Sequence, residues 1–327
     1  MVTIDDVRRA HRAVGPHVHR TPTVRSRSLG DDLGCEAWLK LELFQKTGSF
    51  KPRGALHYLL ELDAAARRRG VLTISAGNHA QGLAYAARRL DVAATVVMPE
   101  SAPRAKVDAT RGYGAEVVLH GDVHQAFEEV RRLESERDLV FVHPFDHPHI
   151  VAGHGGVGLE LLDDVPHPHR VVVPIGGGGL IAGVAVALKA LSPSTRLIGV
   201  EPVGADAMCR SRAAGAPVRL ERIATIADGL APPFVGTLNF EIAERCVDDL
   251  VTVTDAELVG AMRYLMTRVK VVAEPAGAAA VAAVLAGRVP VGTGERLVCI
   301  VSGGNVEPAR LADWLGGTAG GSGRPGA

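Results

Sequence analysis

Phe44-Gln45-Lys46-Thr47-Gly48-Ser49-Phe50-Lys51-Pro52-Arg53-Gly54-Ala55 is the stretch from which the rest of the chain can be read. Lys51 follows a small, flexible Thr-Gly-Ser run and stands just before Pro52. Proline suits the first turn of a helix, because its missing N–H would find no partner there anyway. Ala55, Leu56, Leu59 and Leu60 then recur at helical spacing. Lys51 is therefore expected at the mouth of a helix. There the positive helix end and partial burial both disfavour an ammonium. A lysine that loses its proton easily can form a Schiff base. The alternative is a solvated lysine in a turn, and the segments downstream decide between the two.

Outward from this stretch, composition sets the bounds. The 327 residues suit one large or two ordinary domains, and 47% of them are hydrophobic, enough for a sizeable core. Lys plus Arg and Asp plus Glu are both 36, so no basic surplus argues for nucleic acid. Cys35, Cys209, Cys246 and Cys299 are scattered and form no C-x-x-C pair. That favours reduced thiols and a cytoplasmic location over a disulfide framework or a zinc site. The N-terminus does not read as a signal peptide, and no run reaches the length of a membrane span.

Short apolar runs alternate with helical patterns from residue 71 onward. Val71 to Ser75, Ala93 to Met98, Ala115 to Leu119 and Leu139 to Val142 read as strands, separated by helices through 81–90, 106–111 and 123–137. A second series has strands at Arg170 to Ile175, Arg196 to Glu201, Leu250 to Val253 and Leu297 to Val301. Its helices run from Ile181 to Leu191, Asp255 to Thr267 and Ala276 to Leu285. Such alternation implies an α/β fold with parallel sheets covered on both faces. His143-Pro144-Phe145-Asp146-His147-Pro148-His149 breaks the rhythm and reads as a domain crossing. The expected organisation is a smaller domain, 70–146, inserted into a larger one made of 1–69 and 147–315. A disordered tail over 316–327 would follow. His143, His147, His149 and His154 read as loop histidines rather than metal ligands, since the prolines spoil helical spacing and no carboxylate pattern completes a site.

Three strand ends carry small or glycine-rich loops. Gly176-Gly177-Gly178-Gly179 lies between a strand and a helix, where curled backbone and a helix N-terminus make an anion cradle suited to phosphate. Ser75-Ala76-Gly77-Asn78-His79-Ala80-Gln81-Gly82 joins another strand to a helix. Ser75 or Asn78 could cap that helix. Alternatively, the loop grips a carboxylate while Asn78 meets a ring hydroxyl. Ser302-Gly303-Gly304-Asn305 follows the last strand. Ligands bind at the carboxyl ends of parallel strands, so the three loops converge. A lysine, a phosphate cradle and a carboxylate cradle together suggest an aldehyde cofactor with a phosphate handle. A rival reading takes Gly177-x-Gly179-x-x-Ala182 as a dinucleotide fingerprint with Glu201 as the ribose-binding acid, which would make the chain an NAD-dependent oxidoreductase.

From about residue 5 to about 312 the chain resembles the fold-type II pyridoxal-phosphate enzymes, within the serine/threonine dehydratase and serine racemase family. The resemblance is carried by KTGSFKPRGA, SAGNHAQG, GGGGL, ADG, EPAG and SGGN. It implies pyridoxal 5'-phosphate joined to Lys51 as a Schiff base, with Phe50 near the ring. It implies Gly176, Gly177, Gly178 and Gly179 on the phosphate, Asn78 on the ring hydroxyl and Ser302 facing the pyridine nitrogen. Gly229 and Glu274 would lie near the ring. Ser75, Gly77, Asn78 and His79 would hold the carboxylate of an amino-acid substrate. The implied activity is dehydration and deamination of L-threonine or L-serine to a 2-oxoacid and ammonia. A serine racemase and a 3-hydroxyaspartate dehydratase are the alternatives within the family, and a homodimer is the family-level expectation.

Three positions depart from the pattern. Ala76 stands where racemases of the family carry a serine. Glu201 fits one expected cation ligand, but its partner position is Ala207, so no metal is expected. His154 replaces an expected glutamine. No regulatory domain follows SGGN, so inhibition by isoleucine through such a domain is not expected.

Overall fold

The computed structural model describes residues 1–316, and in it the apolar runs become two sheets. The first has six strands: β1 (Thr23–Arg25), β2 (Glu36–Leu41), β7 (Arg170–Pro174), β8 (Arg196–Pro202), β9 (Asp249–Val253) and β10 (Arg296–Val301). Their spatial order is β1-β2-β10-β7-β8-β9. β1 is antiparallel to β2, and every other pairing in this sheet is parallel. The second sheet holds β3 (Val71–Ile74), β4 (Ala94–Met98), β5 (Glu116–Leu119) and β6 (Val140–Phe141), in the order β5-β4-β3-β6 and wholly parallel. Val171, Val172 and Val173 are all fully buried. A parallel strand covered by helices on both faces has no polar side, which explains this unbroken run of valines.

The Pro275–Leu285 helix lies against the six-stranded sheet with ten consecutive residues buried, seven of them alanine or glycine. Small side chains let its backbone approach the strands closely. The Asp255–Tyr264 helix continues as a π-helical turn, Leu265–Val269, so the expected single helix to Thr267 changes pitch near its end.

One expectation needs correction. His149 and His154 are not loop residues: Pro148–Asp164 is a 17-residue helix with most of its length buried. Its glycines disguise it as a loop, yet they are what the packing demands. A Cβ at Gly153 would lie 2.5 Å from the Arg53 carbonyl oxygen, and one at Gly158 would lie 2.9 Å from Ala187 Cβ. This helix is pressed between the Lys51–Glu61 and Gly179–Leu191 helices, and tertiary packing overrides its weak propensity. The expected tail from 316 onward lies, beyond Gly316, outside the described residues. Among the described residues no helix is long and apolar enough to cross a membrane.

Candidate active site

β3, β7 and β10 run into Ser75, the Gly176–Gly179 loop and Ser302, respectively. A cavity of about 730 Å³ opens beside these strand ends, and its lining includes Phe50, Lys51, Ser75, Gly77, Asn78, His79, Gly176 to Gly179, Gly229, Glu274 and Ser302. The structure thus brings to one cavity every residue that the resemblance implied for cofactor or substrate.

Lys51 opens the Lys51–Glu61 helix, with Pro52 in its first turn. Its Nζ donates to the Pro144 carbonyl at 3.0 Å. Burial lowers its pKa to about 8. About a tenth of its population is therefore a neutral amine at pH 7, the form that acts as nucleophile or base, against well under a thousandth for an ordinary lysine.

Backbone and side-chain bonds knit four of the motifs together. Ser49 and Gly303 form an antiparallel bridge. The Phe50 N–H donates to the Ser302 carbonyl at 3.2 Å, and the Gly304 N–H to the Gly48 carbonyl at 2.9 Å. Asn305 Nδ2 donates to the Thr47 carbonyl at 2.7 Å and to Asn78 Oδ1 at 2.8 Å. Asn78 Nδ2 in turn donates to Glu274 Oε1 at 2.6 Å. Burial pushes the Glu274 carboxyl up to about 7, against the opposing pull of the Asn78 amide. Neither Ser75 nor Asn78 caps the Asn78–Arg89 helix. Gly77 occupies the cap position without a side-chain bond, and Ser75 Oγ accepts the Gly77 N–H at 3.2 Å. The Asn78 side chain is thereby turned toward the cavity wall.

The glycine loop has the form of an anion cradle. Gly178 has φ +90°, a left-handed conformation suited to glycine, and caps the 13-residue Gly179–Leu191 helix. A Cβ at Gly177 would collide with the Phe145 ring, and one at Gly176 would lie 3.1 Å from the Gly229 carbonyl oxygen. Below the loop sits His154, 1% exposed, with neither ring nitrogen hydrogen-bonded. A Cβ at Gly179 would lie 3.4 Å from its Nδ1. Burial, with Lys51 adding to it, holds His154 well below the ordinary imidazole range. His79 behaves alike: it is 3% exposed, has an unpartnered Nε2, and is neutral chiefly through burial. Backbone N–H groups at a helix start and a neighbouring amine fit a phosphorylated aldehyde.

Several residues of the site escaped the sequence reading. Asn239, fully buried, donates from Nδ2 to the Gly177 carbonyl at 2.7 Å and to the Phe145 carbonyl at 3.0 Å, bracing the glycine loop. It stands in a helix far along the chain, with no local signal. Arg53 lies inside the quoted motif but was given no task. Its guanidinium is wholly buried and grips two carboxylates: Nε and Nη2 meet Glu42 at 2.8 and 2.9 Å, while Nη1 and Nη2 meet Glu160 at 2.7 and 2.9 Å. Lys40 Nζ closes the cluster on Glu160 at 2.7 Å. Burial alone would raise the Glu160 pKa, but Arg53 and Lys40 hold it below the ordinary range. The cluster fixes the helix that presents Lys51.

The rival fingerprint loses its acid. Both Glu201 oxygens are engaged, accepting the Met208 and Cys209 N–H groups at 2.7 and 2.8 Å at the start of the Ala207–Ala214 helix. Asp206 pairs with Arg210 at 2.8 Å.

The sequence profile of the family described as "Pyridoxal-phosphate dependent enzyme" matches residues 14–303. An L-threonine ammonia-lyase of Thermotoga maritima is 44% identical over 308 residues, covering 94% of this chain and 76% of that one. A solved T.th. threonine deaminase superposes with a TM-score of 0.88 at 45% identity, over 93% of this chain and 99% of that one. The maize serine racemase superposes with a TM-score of 0.92 at 38% identity, over 95% and 96%.

Proposed function

Since the chain belongs to the pyridoxal-phosphate dependent enzyme family, we propose that it catalyses dehydration and deamination of L-threonine or L-serine to the 2-oxoacid and ammonia. The observation that carries this reading is the cavity in which the Lys51 amine, the Gly176–Gly179 cradle and the Asn305–Asn78–Glu274 linkage converge. The relatives named for threonine deamination support the substrate class.

Bound in this cavity, pyridoxal phosphate supplies an electron sink that acidifies the Cα proton of an attached amino acid. The rest falls to the protein. The Gly176–Gly179 N–H groups and the start of the Gly179–Leu191 helix hold the phosphate. Asn78, Ser302, Phe50, Gly229 and Glu274, which line the same cavity, would hold the ring, Asn78 through the ring hydroxyl and Ser302 through the ring nitrogen. Ser75, Gly77, Asn78 and His79 hold the substrate carboxylate. Lys51 would be the covalent anchor, and its amine would take the Cα proton while the β-hydroxyl leaves as water. The enamine product hydrolyses, so the water lost in elimination returns and ammonia leaves. Ser302 can donate a hydrogen bond but carries no charge, so it would not hold a ring nitrogen protonated as a carboxylate would.

Residues 70–146 act in this reading as a small domain inserted into a large one, 1–69 with 147–315. A cytoplasmic homodimer completes it. The test is to supply the holoenzyme with L-threonine or L-serine and follow 2-oxoacid with a coupled dehydrogenase. Turnover of at least one is expected, together with its loss in Lys51→Ala. Failure on both substrates would overturn the reading, and so would a Lys51→Ala variant within about tenfold of wild type.

A further inference from the structure

His57 and Glu61 stand one turn apart on the Lys51–Glu61 helix, and His149 is the second residue of the Pro148–Asp164 helix. One donor atom from each lies within 4.8 Å of the other two. His57 is 2% exposed. Its Nδ1 meets the His149 backbone carbonyl at 2.8 Å. A carbonyl only accepts, so Nδ1 carries the proton and Nε2 presents a lone pair. That Nε2 is buried and has no hydrogen-bond partner. It faces Glu61 Oε1 at 3.4 Å. A lone pair facing a carboxylate oxygen is repulsive unless a cation sits between them.

The His57–Glu61 spacing and the donor types fit zinc. Donors placed about 2.0–2.1 Å from a tetrahedral zinc are about 3.4 Å apart. Two imidazoles and a carboxylate suit zinc. Calcium and magnesium prefer all-oxygen shells, and no thiolate is present to select copper(I). The Nδ1–H bond to a backbone carbonyl is the outer contact that metal-bound histidines usually make. His149 is half-buried and Glu61 exposed, so an ion can reach the site from solvent. His147 has its Nδ1 engaged by the His149 N–H at 3.2 Å.

We propose that His57, Glu61 and His149 form a zinc site, completed by water, that ties the Lys51 helix to the start of the Pro148–Asp164 helix. Spacing alone missed it, because the carboxylate lies far upstream of the histidine-rich segment. The ion would stiffen the stretch that carries Pro144, the partner of Lys51 Nζ.

The experiment uses untagged holoenzyme stripped with a chelator and then titrated with zinc sulfate against a chromogenic zinc indicator. One zinc per chain is expected, with a higher thermal midpoint on loading. Cobalt(II) in its place should give the visible bands of a tetrahedral ion. His149→Ala and Glu61→Gln, at a half-buried and an exposed position, should each weaken zinc binding by about tenfold or more. In chelator both variants should keep the circular dichroism and 2-oxoacid turnover of wild type. Failure to bind zinc, or binding that neither variant weakens, would overturn the proposal.

Discussion

Replacing Arg53 by methionine tests how Lys51 is held in place. The substitution keeps most of the side-chain length and removes the guanidinium that makes four hydrogen bonds, at 2.7–2.9 Å, to Glu42 and Glu160. Glu160 retains Lys40, whereas Glu42 keeps only the Thr21 hydroxyl. Both carboxylates are 1% exposed or less, so one negative charge is stranded out of water. Breaking a buried pair in this way costs about 3–5 kcal/mol, a large share of a stability of about 5–15 kcal/mol. At roughly 2 °C per kcal/mol for a chain of this size, the thermal midpoint should fall by about 6–10 °C. Arg53→Met with Glu42→Leu removes the stranded charge and should recover at least half of the loss. The assay is differential scanning of the apoprotein at fixed scan rate. A single variant within about 2 °C of wild type, or a double variant no better than the single one, would refute the reasoning.

Other substitutions probe the chemistry. Ser302→Asp places a carboxylate at the ring nitrogen and should hold it protonated, slowing dehydration and building a long-wavelength absorbance during turnover. An unchanged spectrum and rate with cofactor bound would show that Ser302 is elsewhere. Wild type should form almost no D-serine from L-serine, because the Ala76 methyl neither gives nor takes a proton. Ala76→Ser should form a measurable amount by chiral chromatography, and wild-type D-serine formation rivalling pyruvate would overturn the dehydratase reading. With Lys51 at a pKa of about 8, cofactor uptake by the apoprotein, followed by visible absorbance, should rise with a midpoint near that pH. The same lowering means that the unfolded chain binds the extra proton between about pH 8 and 10.5, so the apoprotein gains stability as pH rises across that interval. A midpoint near 10.5 would contradict the burial of Lys51.

What could be read in advance was what local pattern controls. The valine run at 171–173 can only be a strand buried on both faces. Four glycines between a strand and a helix leave few uses beyond a close backbone approach to a ligand. What could not be read depends on partners distant in the chain. The Pro148–Asp164 helix hid behind Gly153, Gly155, Gly156 and Gly158, which look like breakers until the neighbouring helices are placed. Arg53 acquires its role from Glu42 and Glu160, and Asn239 from a loop some sixty residues earlier. β1 has three residues and pairs only at a sheet edge, too short for any period to show.

Borohydride reduction of the holoenzyme, followed by peptide mass mapping, tests the central claim most directly. The protein should be yellow, should bleach on reduction, and should carry one pyridoxyl group per chain, on the peptide that contains Lys51. A colourless protein after addition of pyridoxal phosphate, or a pyridoxyl group on another lysine with Lys51 unmodified, would contradict the account.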